Sequence, residues 1–193
     1  MSDELGYRPL HSANERQRDM AAEIGKSRGV LYFLCGRAGA GKSTLARKIS
    51  TARNAVLLCE DQWLVQLFNG VASFAEYVER RSRIRRLLEE HVPAILRTGQ
   101  SVVLDFPANT VRDRSWFRTV FESATAPHEL HYIVADPALC KMRVAERNRT
   151  KPEGIYWGHV SEERLDEVNK YFQAPTTGEG FVVVEHTAGA SNV

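Results

Sequence analysis

Residues Gly36 to Ser43 read GRAGAGKS, a complete match to the pattern GxxxxGK[ST]. The preceding run Val30 to Cys35 (VLYFLC) predicts a buried strand, and Thr44 to Arg53 (TLARKISTAR) predicts a helix with Leu45 and Ile49 on one face. A glycine-rich turn in that setting lets backbone amides curl around a polyphosphate while the helix N-terminus adds partial positive charge beneath it. The candidate cradle is therefore Gly36, Arg37, Ala38, Gly39, Ala40, Gly41, Lys42, Ser43 and Thr44. Lys42 is expected to reach the β and γ phosphates. Ser43 is expected to offer its hydroxyl to Mg2+, an ion that keeps several waters and takes few protein ligands.

Outward from this loop the chain alternates apolar strands with helices. Strands are predicted at Ala55 to Cys59, Ser101 to Phe106, Glu129 to Ala135 and Phe181 to Glu185. Helices are predicted around Trp63 to Phe68, then at Ser73 to Arg97, Val111 to Ser123, Asp136 to Asn148 and Ser161 to Tyr171. A turn falls at Asn69-Gly70, and Arg149 to Val160 reads as a loop. Such alternation, with strands free of polar interruption, predicts an α/β fold whose parallel sheet is covered by helices on both faces. The domain is expected to run from residue 30 to 193, with a lid at about 143 to 160, and residues 1 to 29 are expected to form an arm and a polar helix from Asn14 to Lys26.

With 193 residues, 43% hydrophobic and 26% charged, one soluble domain is expected. No run approaches the roughly 18 apolar residues that span a bilayer. The first residues lack the apolar core of a signal peptide, so no membrane partner and a cytoplasmic location are expected. A net charge of +2 gives no bulk affinity for nucleic acid, although a local basic groove stays open. Cys35, Cys59 and Cys140 show no metal-ligand spacing and are expected to be buried reduced thiols.

Ligands of parallel α/β sheets bind beyond the carboxyl ends of the strands. Asp105, ending SVVLDF, is the expected second group of the metal shell. Asp61, just past the second strand, is the candidate general base, and the adjacent Glu60 competes for that role. Arg143 and Arg147 lie four residues apart on one helix face, with Arg149 following, and suit a lid that stabilises transferred charge. Within Glu79 to Glu90 most charges are expected to pair at the surface, as Glu79 with Arg83 or Arg85 with Glu89. Arg81 falls in register with Tyr77, Val78, Ile84 and Leu88, so it is expected either to meet an anion there, Asp61 or an acidic substrate, or to snorkel out to water. Asn109, Arg112, Arg114 and Trp116 stand where an acceptor could be held, and Trp63 and Trp157 are expected to border the crevice. The histidines are expected to be packed or solvated.

GRAGAGKST, CEDQW, VVLDF and MRVAERNR together, in this order, resemble bacterial P-loop kinases of the AAA_33 type. That group is similar to chloramphenicol phosphotransferase, zeta toxins and polynucleotide 5′-kinases, and the likeness covers roughly Val30 to Glu185. It implies a strand order of 2-3-1-4-5, ATP with Mg2+ as donor, a strand-two aspartate as base, matched by Asp61, and lid arginines matched by Arg143 and Arg147. Three functions follow as expectations: transfer of the γ-phosphate of ATP to a hydroxyl of a small molecule, the same transfer to a polynucleotide 5′-hydroxyl, or a nucleotide-binding switch without transferase activity.

Overall fold

The computed structural model describes residues 28–68, 73–153 and 156–189. The expected N-terminal helix and the Asn69-Gly70 turn lie outside the described residues. Strand β1 (Leu31–Cys35) is buried at every position, as an uninterrupted apolar run in the middle of a parallel sheet must be. It lies between β3 (Val102–Pro107) and β4 (His128–Val134), while β2 (Val56–Cys59) and β5 (Val183–Thr187) form the edges. All four pairings are parallel, giving the order β2-β3-β1-β4-β5.

Alternate residues of β1 and β3 feed two different cores. Leu31, Phe33, Val102, Leu104 and Phe106 face the helices α3 (Phe74–Arg97) and α4 (Val111–Ala124), where Ile84, Leu88, Val92, Phe117 and Phe121 close the larger core. Tyr32, Leu34 and Val103 face the other way, onto Ala46 and Ile49 of α1 (Lys42–Ala52). The helix caps are those the chain spells out. Ser73 accepts from the amide of Glu76, Asp136 from Ala138 and Leu139 at the head of α5 (Pro137–Thr150), and Ser161 from Arg164 at the head of α6 (Glu162–Lys170).

Two boundaries differ from expectation in ways that matter. The last strand begins at Val183 rather than Phe181, because Phe181 turns inward against Phe33, Phe121 and His128. Helix α2 (Glu60–Phe68) starts directly at the end of β2 instead of near Trp63, so Glu60 and Asp61 occupy its first turn. Carboxylates there complement the partial positive charge of the helix N-terminus. Among the described residues no helix is long and apolar enough to cross a membrane.

Candidate active site

Gly36 to Ser43 links β1 to α1 at the carboxyl edge of the sheet. Gly39 has φ +86, and a Cβ there would lie 2.4 Å from the carbonyl oxygen of Cys140 on α5, so both backbone conformation and space demand glycine. Gly41, with φ +105, faces open space and needs glycine for conformation alone. The Lys42 ammonium donates to the carbonyls of Gly36 (2.7 Å) and Arg37 (3.0 Å), folding the lysine back across the concave loop. From the far side, the Asn109 side chain accepts from the Gly36 amide at 3.0 Å, tying the loop to the end of β3.

Lys42, Ser43, Asp61 and Asp105 all line the cleft in front of this loop. The Ser43 hydroxyl hydrogen-bonds Asp105, which is buried at the end of β3 and also accepts from the Cys59 thiol at 3.6 Å. Burial raises the Asp105 carboxyl above its ordinary value, and the hydrogen bond from Ser43 and the charge of Lys42 oppose that rise. Burial likewise lowers the Lys42 ammonium, against the pull of Asp105. Ser43 and Asp105 thus present hard oxygens side by side, which fits a Mg2+ ion held mainly by substrate phosphates and water. Among the described residues no cluster of three His, Cys, Asp or Glu could hold a metal by itself.

Asp61 opens into the cleft in front of the loop. Partial removal from water raises its carboxyl to about 6, the negative charges of Glu60 and Asp105 add to the rise, and Arg147 and Lys42 oppose it. Arg147 is half-buried on α5, and its Nε is enclosed without a hydrogen-bond partner. Arg143, one turn earlier, donates to the carbonyls of Ala40 (3.4 Å) and Gly189 (2.9 Å), bridging the loop to the segment after β5. Arg149 also lines the cleft, where it is held in an exposed pair with Glu146 at 2.5 Å.

The cleft is large, about 2240 Å3, and its other wall consists of α3, the start of α4, and α6. Here several expectations need correction. Glu60 is fully buried, accepting from the Tyr77 hydroxyl (2.7 Å) and from Arg81 (3.1 Å), and so has no access to a substrate hydroxyl. The anions that Arg81 meets within the chain are Glu60 and Asp113 (2.8 Å), not Asp61. Arg85 bonds Asp113 at 3.1 Å and the Pro107 carbonyl at 3.3 Å in place of the expected surface pair with Glu89, whereas Glu79 and Arg83 do pair at 2.6 Å.

Arg114 does not face the crevice. It is fully buried, gripping Glu179 at 2.6 and 2.9 Å and the carbonyls of Ala108 and Gln173 at 3.0 and 2.8 Å. Trp157 lines the cleft as expected, while Trp63 packs edge-on against Phe106, away from it. The reason is the early start of α2: with about 100° per residue, Asp61, Leu64 and Val65 share the cleft face and Trp63 turns to the opposite side. Asp113 is the group sequence reasoning overlooked. Its signal was the Thr110-x-x-Asp113 spacing, since the Thr110 hydroxyl caps the Asp113 amide at 3.0 Å and fixes where α4 begins. The three cysteines are buried and unbridged, and His131 packs with His186 at 2.9 Å.

A five-stranded parallel sheet in this order, with GxxxxGK[ST] following its central strand, defines a P-loop protein of kinase fold. A family model described as AAA domain (AAA_33) matches residues 31–175, and the chain belongs to that family. The fold is similar to that of a provisionally assigned kinase from Chloroflexus aurantiacus, with TM-score 0.65 and 20% identity over 84% of this chain and 87% of the other. It is also similar to Kti12 of Chaetomium thermophilum in complex with ADP-AlF3 (TM-score 0.57, 15% identity, 84% and 90% covered). APS kinase CysC of Mycobacterium tuberculosis, in complex with AMPPNP and APS, gives TM-score 0.55 and 19% identity over 86% and 91% of the two chains. Comparison with curated protein sequences finds no match.

Proposed function

We propose that the protein is an ATP-dependent phosphotransferase that moves the γ-phosphoryl group of ATP to a hydroxyl of a small-molecule acceptor. The observation that carries this reading is the convergence on one cleft of the phosphate-binding loop and Asp61, a carboxylate at about 6. A general base works best when its pKa lies near the operating pH. ATP lies along Gly36 to Thr44, with Lys42 swinging from the Gly36 and Arg37 carbonyls to the phosphates. Asp61 takes the proton of the acceptor hydroxyl as its oxygen bonds to the γ phosphorus and the bond to the β–γ bridging oxygen breaks, releasing ADP. Arg147, with its unpartnered Nε, and Arg143 stabilise charge on the transferred group. Mg2+, held through Ser43 and Asp105, supplies charge neutralisation at the phosphates when bound. The solved structures of APS kinase with AMPPNP and of Kti12 with ADP-AlF3 support a nucleotide in this cleft.

The test is a panel of hydroxyl compounds with γ-labelled ATP. We expect labelled product with at least one small alcohol, and a loss of about 100-fold or more in turnover for Asp61→Asn with ATP affinity little changed. Turnover unaltered in Asp61→Asn removes the proposed base. Transfer confined to oligonucleotide 5′ ends, weakening steeply with salt, would assign the nucleic-acid acceptor instead.

A further inference from the structure

Glu60 and Asp61 are neighbours with opposite environments, and the buried member is bonded far more extensively than a simple helix cap. Glu60 is 0% exposed and receives the Tyr77 hydroxyl at 2.7 Å and Arg81 Nε at 3.1 Å, with Arg85 Nε at 3.8 Å. Arg81 continues to the Pro107 carbonyl (3.0 Å) and Asp113 (2.8 Å), and Arg85 reaches the same two groups. One polar network therefore ties the first turn of α2 to α3, the end of β3 and the start of α4. Tyr77, Arg81 and Arg85 at the same time line the cleft wall opposite the phosphate-binding loop. The network also reaches α6, whose Arg164 guanidinium lies 4.9 Å from the Phe74 ring centre and 5.6 Å from that of Tyr77.

Buried ion pairs contribute little to stability compared with apolar packing of the same volume, so their presence calls for another use. We propose that Glu60, pinned by Tyr77 and Arg81, is a positioning residue that fixes Asp61 at the cleft and couples it to the acceptor-side wall. This rests on the reading of Asp61 as the base. On a rigid helical turn, holding Glu60 fixes the direction in which the adjacent Asp61 Cα–Cβ bond leaves the backbone. After partial removal from water, the Glu60 charge adds most to holding the Asp61 carboxyl high, with Asp105 and against Arg147 and Lys42, and the Tyr77 hydroxyl also interacts with it.

Glu60→Gln, Tyr77→Phe, Asp61→Asn and the double variant Asp61→Asn/Tyr77→Phe of the full chain test this. Labelled phosphate transfer from γ-labelled ATP, to water and to the best alcohol of the panel, gives kcat and KM. The Asp61 carboxyl is titrated directly by 13C NMR in nucleotide-free protein. We expect Tyr77→Phe to lower kcat about tenfold, the scale of lost support behind a reacting group, with KM for ATP unchanged and no further loss when Asp61 is already asparagine. In Glu60→Gln the Asp61 titration moves toward the ordinary aspartate range and the acidic limb of kcat/KM moves to lower pH with it. A merely structural role reduces the amount of active protein without moving either midpoint. Additive losses in the double variant overturn the coupling, as does an unmoved Asp61 titration in Glu60→Gln. An Asp61→Asn variant with full turnover removes the base itself, a different result from additive losses. Should Glu60→Gln fail to fold, the Tyr77→Phe cycle carries the test alone.

Discussion

Replacing Asp61 by asparagine is expected to stabilise the protein at the same time as it disables transfer. The carboxyl sits at about 6 in the folded chain, above the ordinary aspartate value near 3.8, because the cleft partly removes it from water and Glu60 and Asp105 repel its charge. For a carboxyl raised on folding, the protonated form is the favoured one in the native state. Its contribution is intact below the unfolded value and is lost as pH rises toward and through the folded value. For a group fully enclosed in the folded protein, a shift of this size corresponds to about 3 kcal/mol. The Asp61 side chain, however, opens to cleft water, and screening reduces the expected cost of its ionised form to about 1 kcal/mol. Asparagine has no charge to strand, so the variant gains that amount above pH 6, the gain fades between pH 6 and pH 4, and it vanishes near pH 3. For a domain of this size the gain at pH 8 corresponds to about 2–4 °C in Tm. Thermal unfolding of both proteins without nucleotide, at pH 8 and pH 4, measures it. A variant that is equally stable or less stable than wild type at pH 8 refutes the claim that Asp61 is held ionised at a cost.

Three further outcomes follow from the geometry. Gly39→Ala combines a left-handed backbone, costing roughly 1–2 kcal/mol for any other residue, with a Cβ 2.4 Å from the Cys140 carbonyl; urea unfolding should show the loss and a fluorescent ATP analogue should no longer bind. Arg114→Ala leaves Glu179 and the Ala108 and Gln173 carbonyls without their buried donor, and is expected to cost about 3–5 kcal/mol in chemical denaturation, whereas a loss under about 1 kcal/mol would mean the segment 172–180 is held by other contacts. Arg147→Gln is expected to lower kcat by about 100-fold or more, while Arg149→Gln, which breaks only an exposed pair with Glu146, leaves kcat within about twofold.

The half of the cleft built by the phosphate-binding loop and the strand ends was open to reading in the chain, and the opposite wall was not. The loop, its strand and its helix are contiguous, and the glycines, Lys42 and Ser43 act through backbone geometry that local spacing encodes. Asp105 and Asp61 were found because parallel strands place their carboxyl ends together whatever the loops between them do. The opposite wall depends on contacts between remote segments. Arg85 has Glu89 within reach on its own helix, yet Asp113, 28 positions away, is the partner chosen, because α4 begins beside the buried side of α3 while Glu89 is taken up by the Trp116 indole at 2.9 Å. Arg114 is a case where the pattern did carry a signal. It stands in register with Phe117, Phe121 and Ala124, all buried, so its face of α4 was the core face despite the charge.

The adjacent carboxylates show why one element boundary governs the whole site. Were Glu60 and Asp61 in a loop ahead of a helix starting at Trp63, each could rotate toward the crevice and the two would be interchangeable. Because α2 begins at Glu60, successive side chains are set about 100° apart on a rigid turn. That rotation sends Glu60 under α3, where Tyr77 and Arg81 meet it, and leaves Asp61 on the cleft face beside Arg147 and Lys42. The same geometry that frees Asp61 keeps the Glu60 charge next to it, so the selection of one carboxylate and part of the rise in its proton affinity, which removal from water chiefly causes, share a structural origin. A substitution that shifted the start of α2 by even one residue would therefore change both together, since a rotation of about 100° brings a neighbouring residue to the cleft face and another against Arg81.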